Sequence, residues 1–222
     1  MNQYVIIVAG GSGSRMNSDV PKQYMEANRV PIIVHTIKRF FEYSKSIQVI
    51  CCVHANYSAY AEGLMQKYFP HSKIKIVLGG ETRFHSVKNG LATISDGNSL
   101  VAIHDAARPL VSKETIERCF VSAQENNSGI PVVKVSESIR SIDGNKSVAI
   151  NRDNYRIVQT PQCFNTDVLK KAFEVEFKNS FTDDATVFEN AGHVVSLVDG
   201  NIENIKITLP SDILIAEALL KK

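Results

Sequence analysis

The stretch Val5-Ile6-Ile7-Val8-Ala9-Gly10-Gly11-Ser12-Gly13-Ser14 decides the fold. Five consecutive apolar residues, mostly β-branched, run straight into a glycine-rich loop. A strand apolar on both faces belongs in the interior of a parallel sheet. The loop after it lets backbone N–H groups approach an anion without Cβ clashes. A helix beginning there would add its positive end. The same pattern also suits a tight strand–helix turn with no ligand. A phosphate loop of the Gly-Lys-Ser/Thr type is excluded, because no such triplet follows. The dinucleotide fingerprint is incomplete, because Met16 stands where its third glycine belongs.

Outward from this strand the chain alternates. Ile33, Ile37, Phe40 and Phe41 fall on one helical face, with Pro31 suited to the first turn. Strands are predicted at 47–53, 74–78, 100–103 and 130–135, and helices at 57–69, 83–94 and 113–125. Strand–helix alternation predicts an α/β fold, a mostly parallel sheet with helices on both faces. After Val135 the rhythm breaks. Asp143-Gly144 between two short alternating runs predicts an inserted β-hairpin within residues 136–158, projecting as an arm. Helices are expected at 166–178 and 184–191, strands at 193–198 and 204–208, and an apolar helix at 212–220 that packs inward. With no repeat and no linker, residues 1–222 read as one domain with an arm.

Composition narrows the function. The 222 residues are 44% hydrophobic and 22% charged, which excludes disorder as the main state. A formal net charge of +2 gives no electrostatic footprint for nucleic acid or an anionic membrane. No apolar run approaches the ~18 residues of a membrane span, and the N-terminus lacks the basic region of a signal peptide. Cys51, Cys52, Cys119 and Cys163 form no Cys-x-x-Cys and read as reduced thiols of a cytoplasmic protein. Adjacent Cys51 and Cys52 should face opposite sides of their strand.

The chemistry-bearing residues cluster at predicted strand ends. Arg15 and Lys22 flank the first glycine loop, and two fixed cations beside such a loop suit a triphosphate. Gly79-Gly80-Glu81-Thr82-Arg83-Phe84-His85-Ser86 opens a helix, where Ser86 could meet a base or ribose and Thr82 could simply cap. In His104-Asp105-Ala106-Ala107-Arg108-Pro109, Asp105 stands where a strand end can hold Mg²⁺ or a ribose. Arg108 could pair with Asp105 or reach a phosphate, and His104 reads as a hydrogen-bonded structural histidine. Arg152 and Thr160 flank the arm's return. Phe181-Thr182-Asp183-Asp184-Ala185 places two acids beside Thr182, a candidate helix cap. Lys206 lies opposite Ile205 and Ile207.

In this order the segments AGGSGSRM, PKQY, GGETRFHSV, HDAARP, QTPQ, FTDDATVFE and NIKIT resemble the 2-C-methyl-D-erythritol 4-phosphate cytidylyltransferases, from Val5 to the C-terminal helix. The resemblance implies a Rossmann-like nucleotidyltransferase fold and a β-arm that interlocks a homodimer. It implies transfer of CMP from CTP to the polyol phosphate 2-C-methyl-D-erythritol 4-phosphate, with Mg²⁺ or another divalent cation on the triphosphate. Residue by residue, Arg15 and Lys22 resemble the pair that stabilises the pentavalent α-phosphate, and Ala9, Gly10, Gly11 and Gly13 the triphosphate loop. Gly80, Arg83, Ser86 and Ala106 resemble the cytidine side. Asp105, Arg108, Ser138, Arg152, Thr160, Thr182 and Lys206 resemble the group that binds the sugar phosphate. Arg152 and Lys206 would aim its phosphate, Arg152 across the dimer. Ser138 replaces the family's usual Thr, keeping the hydroxyl, and Gly10-Gly11 replaces a common Ala-Gly.

The chemistry fits. A phosphate monoester is mostly dianionic at neutral pH and needs no general base. The obstacle is repulsion between two polyanions, which positioning and charge neutralisation relieve. The nearest alternative is a ribitol 5-phosphate cytidylyltransferase, against which Ala107 and Phe181–Ala185 argue. A nicotinamide oxidoreductase would need the full glycine fingerprint, and a non-catalytic nucleotide binder would have no use for both Arg15 and Lys22.

Overall fold

The computed structural model describes residues 1–11 and 20–221. In chain order its elements are β1 (Gln3–Ala9), β2 (Glu26–Ala27), β3 (Val30–Pro31), α1 (Ile32–Tyr43), β4 (Gln48–Val53), α2 (Ser58–Tyr68), β5 (Ile74–Leu78), α3 (Arg83–Ala92), β6 (Leu100–Asp105), α4 (Lys113–Asn126) and β7 (Ser128–Lys134). There follow β8 (Arg140–Asp143), β9 (Lys146–Ala149), β10 (Arg156–Val158), β11 (Gln162–Asn165), α5 (Thr166–Ala172), α6 (Asp184–Asn190), β12 (Leu197–Asp199) and α7 (Pro210–Leu220).

The main sheet runs β10-β7-β11-β6-β1-β4-β5, with β12 paired to β7. β1 is central: it pairs in parallel with β4 on one side and β6 on the other. β11 is antiparallel to both β6 and β7. The chain leaves β1 for β4 and β5, then crosses back to β6. The strand order therefore reverses at β1, and ligands of open α/β sheets collect in the crevice at such a point.

Both faces of β1 are covered. Val5, Ile7 and Ala9 join Ile33, Ile37, Phe40, Ile116 and Phe120 from α1 and α4 on one side. Tyr4 and Ile6 join Phe84, Val87, Leu91, Phe164 and Phe188 on the other. Cys51 and Cys52 divide between these two cores, as strand alternation requires.

Several expectations need correction. The helix expected over 166–178 stops at Ala172, because Phe173, Phe177 and Phe181 instead gather around Phe84, with ring centroids 4.8, 5.8 and 5.7 Å away. The strand expected over 193–198 is Leu197–Asp199, with Val194 in solvent. Residues 204–208 form no strand; they are held by separate bonds, among them Ile207 N to Ala107 O at 2.9 Å and Asn204 Nδ2 to Thr160 O at 2.8 Å. α7 does not sink into the core. Only its Ala216 is fully buried, against Ala27, Ile32 and Ile207, while Leu214 is 68% exposed. An all-round apolar sequence does not say which face is covered. In the hairpin, Asp143 pairs with Lys146, so the two-residue loop is Gly144-Asn145 rather than Asp143-Gly144. Gly144 takes φ +54°, the left-handed conformation glycine adopts without penalty. All residues of β8 and β9 are exposed.

Candidate active site

Four strand ends meet in register. Val8 lies opposite Asp105, Ala9 opposite Val53, and Val53 opposite Leu78. The segments that follow these strands line one cavity of about 510 Å³, together with Lys22 and Lys206. Gly10, Gly11, Gly80, Arg83, Ser86, Asp105 and Ala106, expected on sequence grounds, all line it. Gly13 and Arg15 lie outside the described residues.

Lys22 sits in a short 3-10 turn, Lys22–Tyr24, closed by Tyr24 N donating to Pro21 O at 2.8 Å. The adjacent Gln23 is buried, and its Nε2 donates to Ala9 O at 2.8 Å and Gly11 O at 3.0 Å. An anion cradle needs its N–H groups free and its carbonyls turned away. Gln23 ties two of those carbonyls down.

Thr82 caps α3, its hydroxyl accepting from His85 N. Ser86 is buried; its Oγ accepts from Gly80 N at 3.1 Å and donates to Thr82 O at 3.0 Å. Its hydroxyl thus shapes the loop whose surface faces the cavity. A Cβ at Gly80 would overlap that of His85, so only glycine lets the loop turn back onto the helix start.

Asp105 is the electrostatic hub. Its Oδ1 lies 3.4 Å from Arg83 Nε, and its Oδ2 lies 2.8 Å from Lys206 Nζ and 3.6 Å from Arg108 Nε. Burial alone would raise its pKa, but Arg83, Lys206 and Arg108 outweigh that and hold the carboxyl well below the usual range. Arg83 also binds Asp184 Oδ2 at 2.7 Å, and these two carboxylates raise its pKa despite burial. Arg108 donates to Asn204 O at 2.7 Å. Arg108 thus pairs with Asp105, one of the two readings its sequence position allowed.

Thr160 lies beneath the cavity floor. Its Oγ1 accepts from Asp105 N at 3.1 Å and lies 3.1 Å from His104 Nδ1. His104 Nε2 faces Arg108 O at 3.1 Å, an acceptor only. The neutral ring therefore carries its proton on Nε2 and accepts the Thr160 proton at Nδ1. Burial lowers the His104 pKa to about 4, keeping the ring neutral.

Within one chain Arg152, Ser138 and Thr182 do not line this cavity. Arg152 is exposed and donates to Ser136 O, and Ser138 is exposed on the arm. Thr182 is exposed as well, and the α6 cap is Asp183, in a capping box with Thr186. Sequence reading passed over Gln23, His54, Glu81 and Ala107, which line the cavity, and Asp184. All of these but His54 lie within the quoted motifs, which gave them no individual role.

In this structure three cations surround Asp105, so a divalent ion there would compete with Arg83, Arg108 and Lys206 for its oxygens. Among the described residues no group of three His, Cys, Asp or Glu side chains could hold one.

The family model for IspD, 2-C-methyl-D-erythritol 4-phosphate cytidylyltransferase, matches residues 3–222. The 2-C-methyl-D-erythritol 4-phosphate cytidylyltransferase of Phocaeicola vulgatus is 44% identical over 99% of this chain and 100% of its own. That of Porphyromonas gingivalis is 41% identical over 98% of this chain and 97% of its own. Among solved structures, the 4-diphosphocytidyl-2C-methyl-D-erythritol synthase of Anaerococcus prevotii superposes with a TM-score of 0.83 at 29% identity, covering 100% of this chain and 99% of that one. With the ordered strand-end segments converging on one cavity and relatives matched end to end, the chain belongs to the 2-C-methyl-D-erythritol 4-phosphate cytidylyltransferase family.

Proposed function

We propose that this protein transfers the cytidylyl group of CTP to 2-C-methyl-D-erythritol 4-phosphate, releasing pyrophosphate. Membership of the family supports the reaction. The observation that carries it is the convergence of Gly10, Gly11, Lys22, Gly80, Asp105 and Lys206 on one cavity at the sheet's reversal point.

A phosphate oxygen of the polyol phosphate attacks the α-phosphorus of CTP. A P–O bond forms, the bond to the α,β-bridging oxygen breaks, and pyrophosphate leaves with that electron pair. No proton must be removed from the nucleophile. Lys22, joined by Arg15, stabilises the charge that builds on the α-phosphate. The glycine loop offers N–H groups to the triphosphate, and a divalent cation bound with CTP would neutralise part of its charge. Gly80, Ser86 and Ala106 form the cytidine side. Lys206 exchanges Asp105 for the incoming phosphate, while Arg108 and Thr160 hold Asp105 from below.

The arm completes the site in a homodimer: Arg152, with Ser138 and Thr182, serves the sugar phosphate, Arg152 in the partner's cavity. The wholly exposed β8–β9 hairpin and the absence of Arg152 from the lining of its own chain's cavity support this arrangement. Four buried free cysteines suit the reducing cytoplasm.

The test is pyrophosphate release from CTP and Mg²⁺ with 2-C-methyl-D-erythritol 4-phosphate or ribitol 5-phosphate as acceptor. Turnover with the first and not the second is expected. Preference for ribitol 5-phosphate would replace this reading with the alternative one.

A further inference from the structure

Asp184 occupies the first position of α6, is 1% exposed and does not line the cavity. Its Oδ2 accepts from Arg83 Nη2 at 2.7 Å, while Nε of the same guanidinium lies 3.4 Å from Asp105 Oδ1. Arg83 is thus stretched between a carboxylate on the cavity wall and one behind it. Asp184 Oδ1 is buried with no hydrogen-bond partner among the described residues. Such a carboxylate is costly to bury, and an apolar residue of similar size would avoid the cost.

Its placement is rigid. Asp183 and Thr186 close a capping box at the helix start. Buried Gln162 donates from Nε2 to Asp183 Oδ2 at 2.7 Å and accepts from Ala185 N at 2.9 Å. Asp184 is held between these two anchors, facing Arg83.

What this achieves follows from guanidinium geometry. An arginine with one carboxylate in reach turns two parallel N–H groups onto it. Asp105 already receives Lys206 on Oδ2. A guanidinium released from Asp184 would take both Asp105 oxygens and compete with that amine.

We propose that Asp184 is a positioning residue for nucleotidyl transfer. It holds Arg83 to Asp105 through a single nitrogen, so that Asp105 keeps Oδ2 for Lys206 and the amine stays at the cavity. The inference rests on the reading of Asp105 and Lys206 as active-site groups. It adds Asp184 to the contribution of the Phe181–Ala185 segment, beside Thr182.

The experiment is a double-substitution cycle of D184N and R83Q with steady-state kinetics. D184N should lower kcat/KM about tenfold, chiefly as a raised KM for the polyol phosphate, with KM for CTP little changed. D184N added to R83Q should cost nothing further. Losses that multiply in the double variant, or an unchanged polyol-phosphate KM in D184N, overturn the proposal. Should D184N not fold, Gln162→Met keeps the carboxylate and loosens its helix; the same KM rise, in milder form, is expected, and no rise overturns the proposal. A second readout needs no turnover. In protein reductively methylated with ¹³C, the Lys206 dimethylamine resonance should move toward the exposed-lysine position in D184N. A resonance that stays put overturns the proposal even if the wild type uses a different acceptor. A wild type inactive with both acceptors, but with the Lys206 resonance moving, refutes the functional reading alone.

Discussion

Lys206 Nζ lies 2.8 Å from Asp105 Oδ2, so the amine expected to meet a substrate phosphate is held by a carboxylate of its own chain. An incoming dianion must displace that carboxylate, and the exchange favours a ligand of higher charge. Lys206→Ala should therefore weaken polyol-phosphate use by about 10–100-fold, the range for one charge-assisted hydrogen bond. The KM for CTP should stay near wild type. Initial rates with each substrate varied in turn test this, and an equal rise in both KM values would count against the assignment.

In the proposed reaction Lys22, which lines the cavity, serves the transition state rather than binding alone. Lys22→Ala should lower kcat by about 10²–10³ with a smaller change in KM, as when one preorganised donor is removed. Single-turnover rates measure it directly, and unchanged turnover would falsify the role.

Gln23 acts through the glycine loop. Gln23→Met keeps the volume and removes two hydrogen bonds, to Ala9 O and Gly11 O. KM for CTP should rise by about tenfold or more, since each bond contributes about 1 kcal/mol. Nucleotide affinity by calorimetry checks this, with a melting curve to confirm folding.

His104 makes stability pH-dependent. Its folded pKa, about 4, is below the ~6.5 of an unfolded histidine. The unfolded chain therefore binds the proton first, and stability present above about 6.5 is lost as pH falls toward 4. The loss integrates to about 3 kcal/mol, at 1.36 kcal/mol per unit. Urea midpoints from pH 7.5 to 4.5 should fall for the wild type and fall less for His104→Gln. Parallel curves would remove His104 as the cause.

The arm can be tested by complementation. If Arg152 serves the partner's site, an R152A chain paired with a K206A chain builds one intact site per mixed dimer. Equal mixing after unfolding and refolding should restore roughly a quarter of wild-type activity from two nearly inactive proteins. No recovery, with mixed dimers present by mass spectrometry, would place Arg152 in its own subunit's site.

By itself the sequence determined the central strand, the glycine loop and the strand–helix alternation. Val5–Ala9 is apolar on both faces, and alternation and helical spacing are local properties of the chain. The ordered segments also fixed the family. Tertiary structure alone decided how the arginines of the site are paired. Arg83 meets Asp184 from 101 residues away and Arg108 meets Asn204 from 96, so both are engaged by partners that no local period reveals. It also decided that α7 lies on the surface and that Asp184 reaches Arg83. Periodicity reports which way a side chain points along its own element; what it meets depends on how the elements pack.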